Sequence, residues 1–195
     1  MPEFERLFRS FGLPHAIRTD NGVPFSAVRF GFSRLSLWWM RLGIVHERIE
    51  RGHPEQNGRH ERMHRTLKVE TTRPPGRDLR DQQQRFDRGR KEFNEERPHE
   101  ALAQTPPGQH YTPSIRPYPE RLPEVSCPPD HEVRRVRQAG EILWRSRRLY
   151  VTQLLVGELI GLQQLDEDRW QIWYAQRKVA ILDERLKRVL PMSPV

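Results

Sequence analysis

The sequence predicts an α/β segment over residues 1–103 and a small all-β domain over 130–195. Three observations carry that prediction. Apolar residues recur at helical spacing between short strand-like runs in the first half. Short β-rich runs separated by turn residues fill the last third. Between them, residues 104–129 hold eight prolines, including Pro106-Pro107 and Pro128-Pro129, which reads as a semi-extended linker.

The first half yields its elements in order. Phe4, Leu7, Phe8 and Phe11 stand at i, i+3, i+4 and i+7, one face of a helix, and Gly12 and Pro14 stop it. A strand at 15–19 runs into Asp20-Asn21-Gly22, a strong turn signal. Residues 29–42 place Phe32, Leu35, Trp39 and Leu42 on one helical stripe, closed by Gly43. Ile44 to Ile49 reads as a strand, and RGHPEQNG as a loop. Helices are expected from Arg59 to about Thr71 and from Asp78 to Asn94, the latter closed by Arg97-Pro98. In the last third, EVRRV, ILW, LYV, LIGLQQL, RWQIWY and VAILDERL supply five or six strands, enough for a small antiparallel barrel.

Composition narrows the partners. Of 195 residues, 34 are Lys or Arg against 26 Asp or Glu, a net charge of +8. That balance favours a polyanion, foremost nucleic acid, although a solvated basic surface carries the same signature. The single cysteine, Cys127, rules out an internal disulfide and a Cys-rich zinc site, and fits a reducing cytoplasm. The start of the chain is charged, unlike a signal peptide, and no apolar run approaches the ~20 residues of a membrane span.

Two carboxylates stand out by position. Asp20 ends a predicted strand, and Glu61 lies on a predicted helix after a gap of forty residues. Carboxylates at a strand end and on a nearby helix can meet at one edge of an α/β sheet, where they suit hard divalent cations in phosphoryl transfer. Each also has an ordinary role: Asp in Asp-Asn-Gly forms turns, and Glu61 can pair with Arg65 at i, i+4. The helix around Glu61 says more. At 100° per residue, Asn57, Glu61, Arg65 and Lys68 span an arc of roughly 80° with His64 beside them, while Met63 and Leu67 fall on the other side. One face would thus combine a metal ligand with phosphate-contacting groups, although a solvated charged face carries the same pattern.

In combination and in this order, IRTDNGVPF, GIVHERIERGHPEQNGRHERMHRTLK and FNEERPHEAL resemble the integrase core of bacterial insertion-sequence transposases, most closely the IS481 group. The resemblance extends over essentially the whole chain. It implies an RNase H-like integrase core followed by a small SH3-like β-barrel linked to DNA binding or assembly. It makes Asp20 the second and Glu61 the third acid of a DDE triad, ligands of two Mg²⁺ (or Mn²⁺) ions. It sets Asn57, Arg65 and Lys68 near transposon-end DNA, and His53 and Pro54 in the loop before the catalytic helix. Asn94, Arg97, Pro98 and His99 match a segment after the core whose role is structural. The implied chemistry is cleavage at the element's end and transfer of the freed 3′-hydroxyl to target DNA, by a homo-oligomer assembled on DNA in the bacterial cytoplasm, nucleoid-associated when bound.

One departure matters. Only nineteen residues precede Asp20 and none is an aspartate, so the strand expected to carry the first acid, with the rest of the first three strands, is missing from this sequence. The chain therefore reads as an N-terminally truncated core. Its remaining two strands would be marginal alone, and the helices bearing Phe4, Phe8, Phe32, Trp38 and Trp39 would leave apolar surface exposed. The alternatives are a catalytically inactive nucleic-acid-binding remnant, and an RNase H-type nuclease drawing a third acid from Asp78, Asp81 or Asp87. The arginines of the last third (Arg134, Arg135, Arg137, Arg145, Arg147 and Arg148) suit phosphate contacts, and equally a solubilising surface.

Overall fold

The computed structural model describes residues 1–22, 24–25, 32–50 and 52–192. The chain divides into two compact units. The first comprises Met1–Arg48 together with Ile115–Val195, and the second Ile49–Ser114. The boundaries read from sequence, at 103/104 and 129/130, grouped the chain otherwise: residues 1–48 share a unit with the C-terminal strands.

In the first unit, helix α1 (Pro2–Phe11) starts with proline in its first turn and ends at Gly12, whose φ of 75° lies in the left-handed region. Strand β1 (Ala16–Thr19) pairs in parallel with β2 (Val45–Arg48), with Ala16 opposite Val45 and Thr19 opposite Arg48. Helix α2 (Arg34–Arg41) begins five residues later than the sequence suggested. Ser33 is extended and closes a capping box with Ser36, accepting from its backbone N–H at 3.2 Å while the Ser36 hydroxyl receives the Ser33 N–H at 2.8 Å. Residues 29–31 of the predicted helix lie outside the described residues.

The C-terminal part contributes seven strands: β3 (Glu132–Arg135), β4 (Glu141–Trp144), β5 (Arg147–Tyr150), β6 (Leu159–Gln164), β7 (Arg169–Tyr174), β8 (Arg177–Asp183) and β9 (Arg188–Pro191). Five of them form an antiparallel sheet in the order β3-β6-β7-β8-β9, and β4-β5 forms a separate hairpin. The expected SH3-like barrel is therefore not a closed one. Among the described residues, β4 and β5 pair only with each other, so no ladder joins the edge strands β3 and β9 into a ring. Two hairpin turns, Arg145-Ser146 and Ala175-Gln176, have positive φ at both residues, the backbone twist that two-residue hairpin loops favour.

The apolar faces of the helices are covered, contrary to expectation. Phe8, Leu13, Trp39, Leu42 and Ile44 form one buried cluster. Leu37 and Met40 of α2 join a second with Val136, Ile142, Trp144, Ile160, Leu162, Ile172 and Leu182. The amphipathic helix α2 thus buries two sides, one in each cluster; only Leu7 and Phe11 of the α1 stripe stay exposed.

The proline-rich segment is also more than a spacer from Ile115 onward. The Arg116 guanidinium donates to the carbonyls of Pro14 (3.1 Å) and Leu42 (2.7 Å), and its own carbonyl accepts from Leu13 N at 2.7 Å. Tyr118 lies against Trp38 and under the Arg9 guanidinium. The Pro123 carbonyl accepts from Arg41 Nε at 2.7 Å. Prolines keep this strap extended, and its carbonyls and aromatic ring do the docking.

The second unit is helical. A 3₁₀ turn (Pro54–Asn57) leads into α3 (Gly58–Thr72), and α4 (Leu79–Lys91) continues into a π-helical turn (Glu92–Glu96) before Pro98. Asp78 caps α4 by accepting from Asp81 N at 2.8 Å. Helices α3 and α4 approach closely at Gly89, where an added Cβ would stand 2.7 Å from the Thr71 methyl. Gln82 locks the pair, donating to the Thr71 carbonyl at 2.9 Å and accepting from Gly76 N at 2.8 Å.

Candidate functional site

Asp20 follows β1 directly and is exposed. Its Oδ1 accepts from Gly22 N at 2.9 Å, an Asx turn that fixes the side chain beside the strand end. A Cβ on Gly22 would sit 3.2 Å from that oxygen, so glycine suits the turn. Behind it, Thr19 Oγ1 lies 2.8 Å from His46 Nε2 and donates to the Asp20 carbonyl at 2.8 Å. Burial, and secondarily Arg48, hold the His46 pKa below its usual 6.5. A neutral imidazole donating through Nε2–H completes this chain of hydrogen bonds.

Glu61 belongs to the second unit, so the two acids lie on different units. It occupies the first turn of α3, where the helix dipole favours a carboxylate. The exposure pattern follows the helical wheel: Glu61, His64, Arg65 and Lys68 are exposed, while Met63 and Leu67 on the other side are half-buried. Asn57 precedes the helix without capping it through its side chain. Among the described residues no ion pair joins Glu61 to Arg65. The ordinary salt-bridge role for Glu61 is thus not the one the geometry takes.

The surroundings of this face are largely structural. His53 bonds Glu55 at 2.7 Å and lies 3.7 Å from Glu50, which raises its pKa and keeps it occupied. Arg97 pairs with Glu70 at 2.9 Å and Glu92 at 2.8 Å, tying the π-helical turn to α3. His99 packs edge-on against Phe93, and Asn94 lines a groove with Met63, Leu67 and Phe86. The three candidate third acids are engaged: Asp78 caps α4, Asp81 accepts from Arg77 N and pairs with Arg85, and Asp87 pairs with Arg90. The hydrogen bond from Arg77 N, ahead of the two arginines, draws the Asp81 pKa down. One residue that the sequence reading passed over is His60, whose ring centroid lies 4.3 Å from that of His64; their i, i+4 spacing was the available signal.

In kind, exposed carboxylates such as Asp20 and Glu61 suit Mg²⁺ or Mn²⁺, which prefer oxygen ligands. Among the described residues, however, no group of three or more His, Cys, Asp or Glu side chains is gathered to hold a metal. In the first unit, much of the arginine cluster is locally neutralised. Arg134 pairs with Glu132, Arg145 with Glu184 and Arg148 with Glu141, while Arg135 donates to the Gly157 carbonyl. No described helix is long and apolar enough to cross a membrane.

Residues 42–107 match the integrase core domain family, and residues 131–190 match the C-terminal domain of the IS481 family transposases. The chain carries domains of the IS481-like transposase and integrase family. In this IS481-like chain Asn57, Glu61, Arg65 and Lys68 fall inside the integrase-core match, whereas Asp20 lies ahead of it. Strands β3 to β8 lie inside the match to the transposase C-terminal domain. DNA transposition and integration is the general function that these domains carry, and DNA the general partner.

Proposed function

We propose that this chain takes part in DNA transposition through the face of α3 that presents Glu61. The observation that carries this reading is that face itself: an exposed carboxylate, in no ion pair among the described residues, with Arg65 and Lys68 on the same arc, inside the integrase-core match. Arg65 and Lys68 would contact phosphates and Asn57 would help hold the transposon end. Such contacts position DNA without reading its sequence. Glu61 would serve as a ligand of Mg²⁺ or Mn²⁺, and so would Asp20 at the end of β1. Two such ions, when bound, would supply Lewis-acid stabilisation of both oxygens as a 3′-hydroxyl attacks a target phosphodiester and the target strand's 3′-oxygen leaves. A homo-oligomer on DNA is the form in which two element ends are brought together.

Two assays test the proposal. In fluorescence anisotropy with element-end DNA, Arg65→Ala and Lys68→Ala each weaken binding across sequences and each lower the salt slope by about 1. In calorimetry with MgCl₂ or MnCl₂, Asp20→Ala and Glu61→Ala each weaken metal uptake if the two are metal-holding acids. The chain by itself, without the first acid, is expected to join no DNA in a strand-transfer assay with either metal. DNA binding that is indifferent to Arg65 and Lys68 would overturn the α3 assignment. DNA binding with no uptake of Mg²⁺ or Mn²⁺, unchanged by Asp20→Ala and Glu61→Ala, would favour a non-catalytic DNA-binding role.

A further inference from the structure

Helix α3 carries a second constellation that the carboxylate reading does not use. His60-Glu61-Arg62-Met63-His64 places two imidazoles at i and i+4, about 40° apart around the helix axis. Both rings are exposed, and their centroids are 4.3 Å apart. We infer that His60 and His64 form a bidentate chelate for a borderline transition-metal ion such as Zn²⁺, distinct from the oxygen-ligated ions of the proposed transposition site. Small side-chain rotations from a 4.3 Å separation can bring one nitrogen of each ring to the 2.0–2.1 Å that zinc requires. The helix sets the two ligands one turn apart, so less freedom is lost on binding than for two histidines on loops. Imidazole suits zinc, copper and nickel, whereas Mg²⁺ prefers carboxylates and water.

The same residue spacing holds zinc in helical metalloproteases, with the intervening glutamate as general base. Here the described residues offer no third protein ligand. The site is therefore an open, two-ligand chelate, with its other positions left to water or to a ligand from outside, and carries no protease activity. Arg62 and Arg65 on the same helix oppose a dication and limit its affinity. Glu61 lies about 60° from His64 around the axis and offsets part of that repulsion. The inference rests on the two imidazoles alone, and stands whether or not Glu61 serves in transposition.

Isothermal titration calorimetry of the whole chain with ZnCl₂ tests it, alongside His60→Ala, His64→Ala, the double variant and Glu61→Gln. Both histidines are exposed and alanine favours helix, so the variants keep the fold, which far-UV circular dichroism checks. The expected result is one zinc site weakened about tenfold or more by either single substitution, the loss of one of two ligands, and abolished by both. Glu61→Gln retains it to within a few-fold, which separates this site from the proposed carboxylate site, where Glu61→Gln weakens Mg²⁺ uptake. A wild-type chain that takes up no zinc, or a double variant whose isotherm matches the wild type, overturns the inference.

Discussion

The two units differ in how they are held together. The first buries two apolar clusters, in which Trp39, Ile142, Ile160, Leu162, Ile172 and Leu182 are all fully enclosed. The second, among its described residues, buries no hydrophobic side chain at all; Thr71 is its one buried residue. Met63, Leu67, Phe86 and Phe93 are half-covered. Its order comes instead from polar links: the Gln82 bridge, the Arg85 bond to the Pro74 carbonyl at 2.7 Å, and the Arg97 pairs. Apolar burial is worth about 25 cal/mol per Å², whereas an exposed ion pair is worth about 0–1 kcal/mol. Stability therefore resides mainly in the first unit, while the face proposed to meet DNA stands on a helix held by fewer and weaker contacts. A segment with little buried apolar surface opens locally at low cost, as recognition elements commonly do.

Substitutions that probe the two kinds of packing should separate the units sharply. Ile172→Ala removes a fully buried side chain from the larger cluster and is expected to cost about 2–5 kcal/mol in equilibrium urea unfolding. A cost below about 1 kcal/mol would mean that the cluster is loosely packed. Gly89→Ala tests the second unit. In an exposed helix this change would gain about 1 kcal/mol of propensity. Here the new methyl meets Thr71 Cγ2 at 2.7 Å, and Thr71 is itself pinned by its hydroxyl to the Leu67 carbonyl at 2.6 Å. The expected net is a loss of roughly 1 kcal/mol through overpacking, recovered when Thr71→Ser is added. Stabilisation by Gly89→Ala alone would show that α3 and α4 part readily. Arg97→Ala should cost less again, below about 1 kcal/mol, because its partners are largely solvated. Its signature is faster amide exchange in Glu92–Glu96 and the last turn of α3, with the first unit unchanged.

The same contrast explains what could be read from the residues. The α1 stripe, the β1 and β2 strands and the start of α3 followed from periodicity and turn chemistry, because local sequence decides them. The start of α2 was misjudged: apolar spacing ran on through Phe32, but Ser33 and Ser36 form a capping box, and a cap outweighs a stripe at a helix end. Coverage of α1 and α2 was not legible, since it depends on Leu37, Met40 and Tyr118 meeting residues far along the chain. Proline content marked 104–129 as extended and said nothing about where it docks; Arg116 decides that for its second half. At the candidate site, the one-sided face of α3 could be read from a helical wheel. The Asx turn at Asp20 could be read from Asp-Asn-Gly, but the Thr19–His46 link behind it spans two strands and could not.

That link supplies the smallest expected effect and the closest test of the strand end that carries Asp20. His46 packs edge-on against Trp39 and shares a hydrogen bond with Thr19, and its folded pKa is lowered by burial and then by Arg48. The unfolded chain therefore binds a proton at His46 more readily than the folded chain does. Its contribution is fully present above pH 6.5, the ordinary histidine value, and is lost as pH falls from there through the lowered folded value. Below that value no further loss arises from this residue. Urea midpoints for the first unit should fall across this window, and His46→Gln, which keeps a neutral donor toward Thr19 at every pH, should flatten the fall. Trp39 sits beside the imidazole, so its fluorescence reports the event directly. A profile of the same slope in wild type and His46→Gln would show that the histidine titrates alike in both states, and that the Thr19–Asp20 corner is solvated more freely than its geometry indicates.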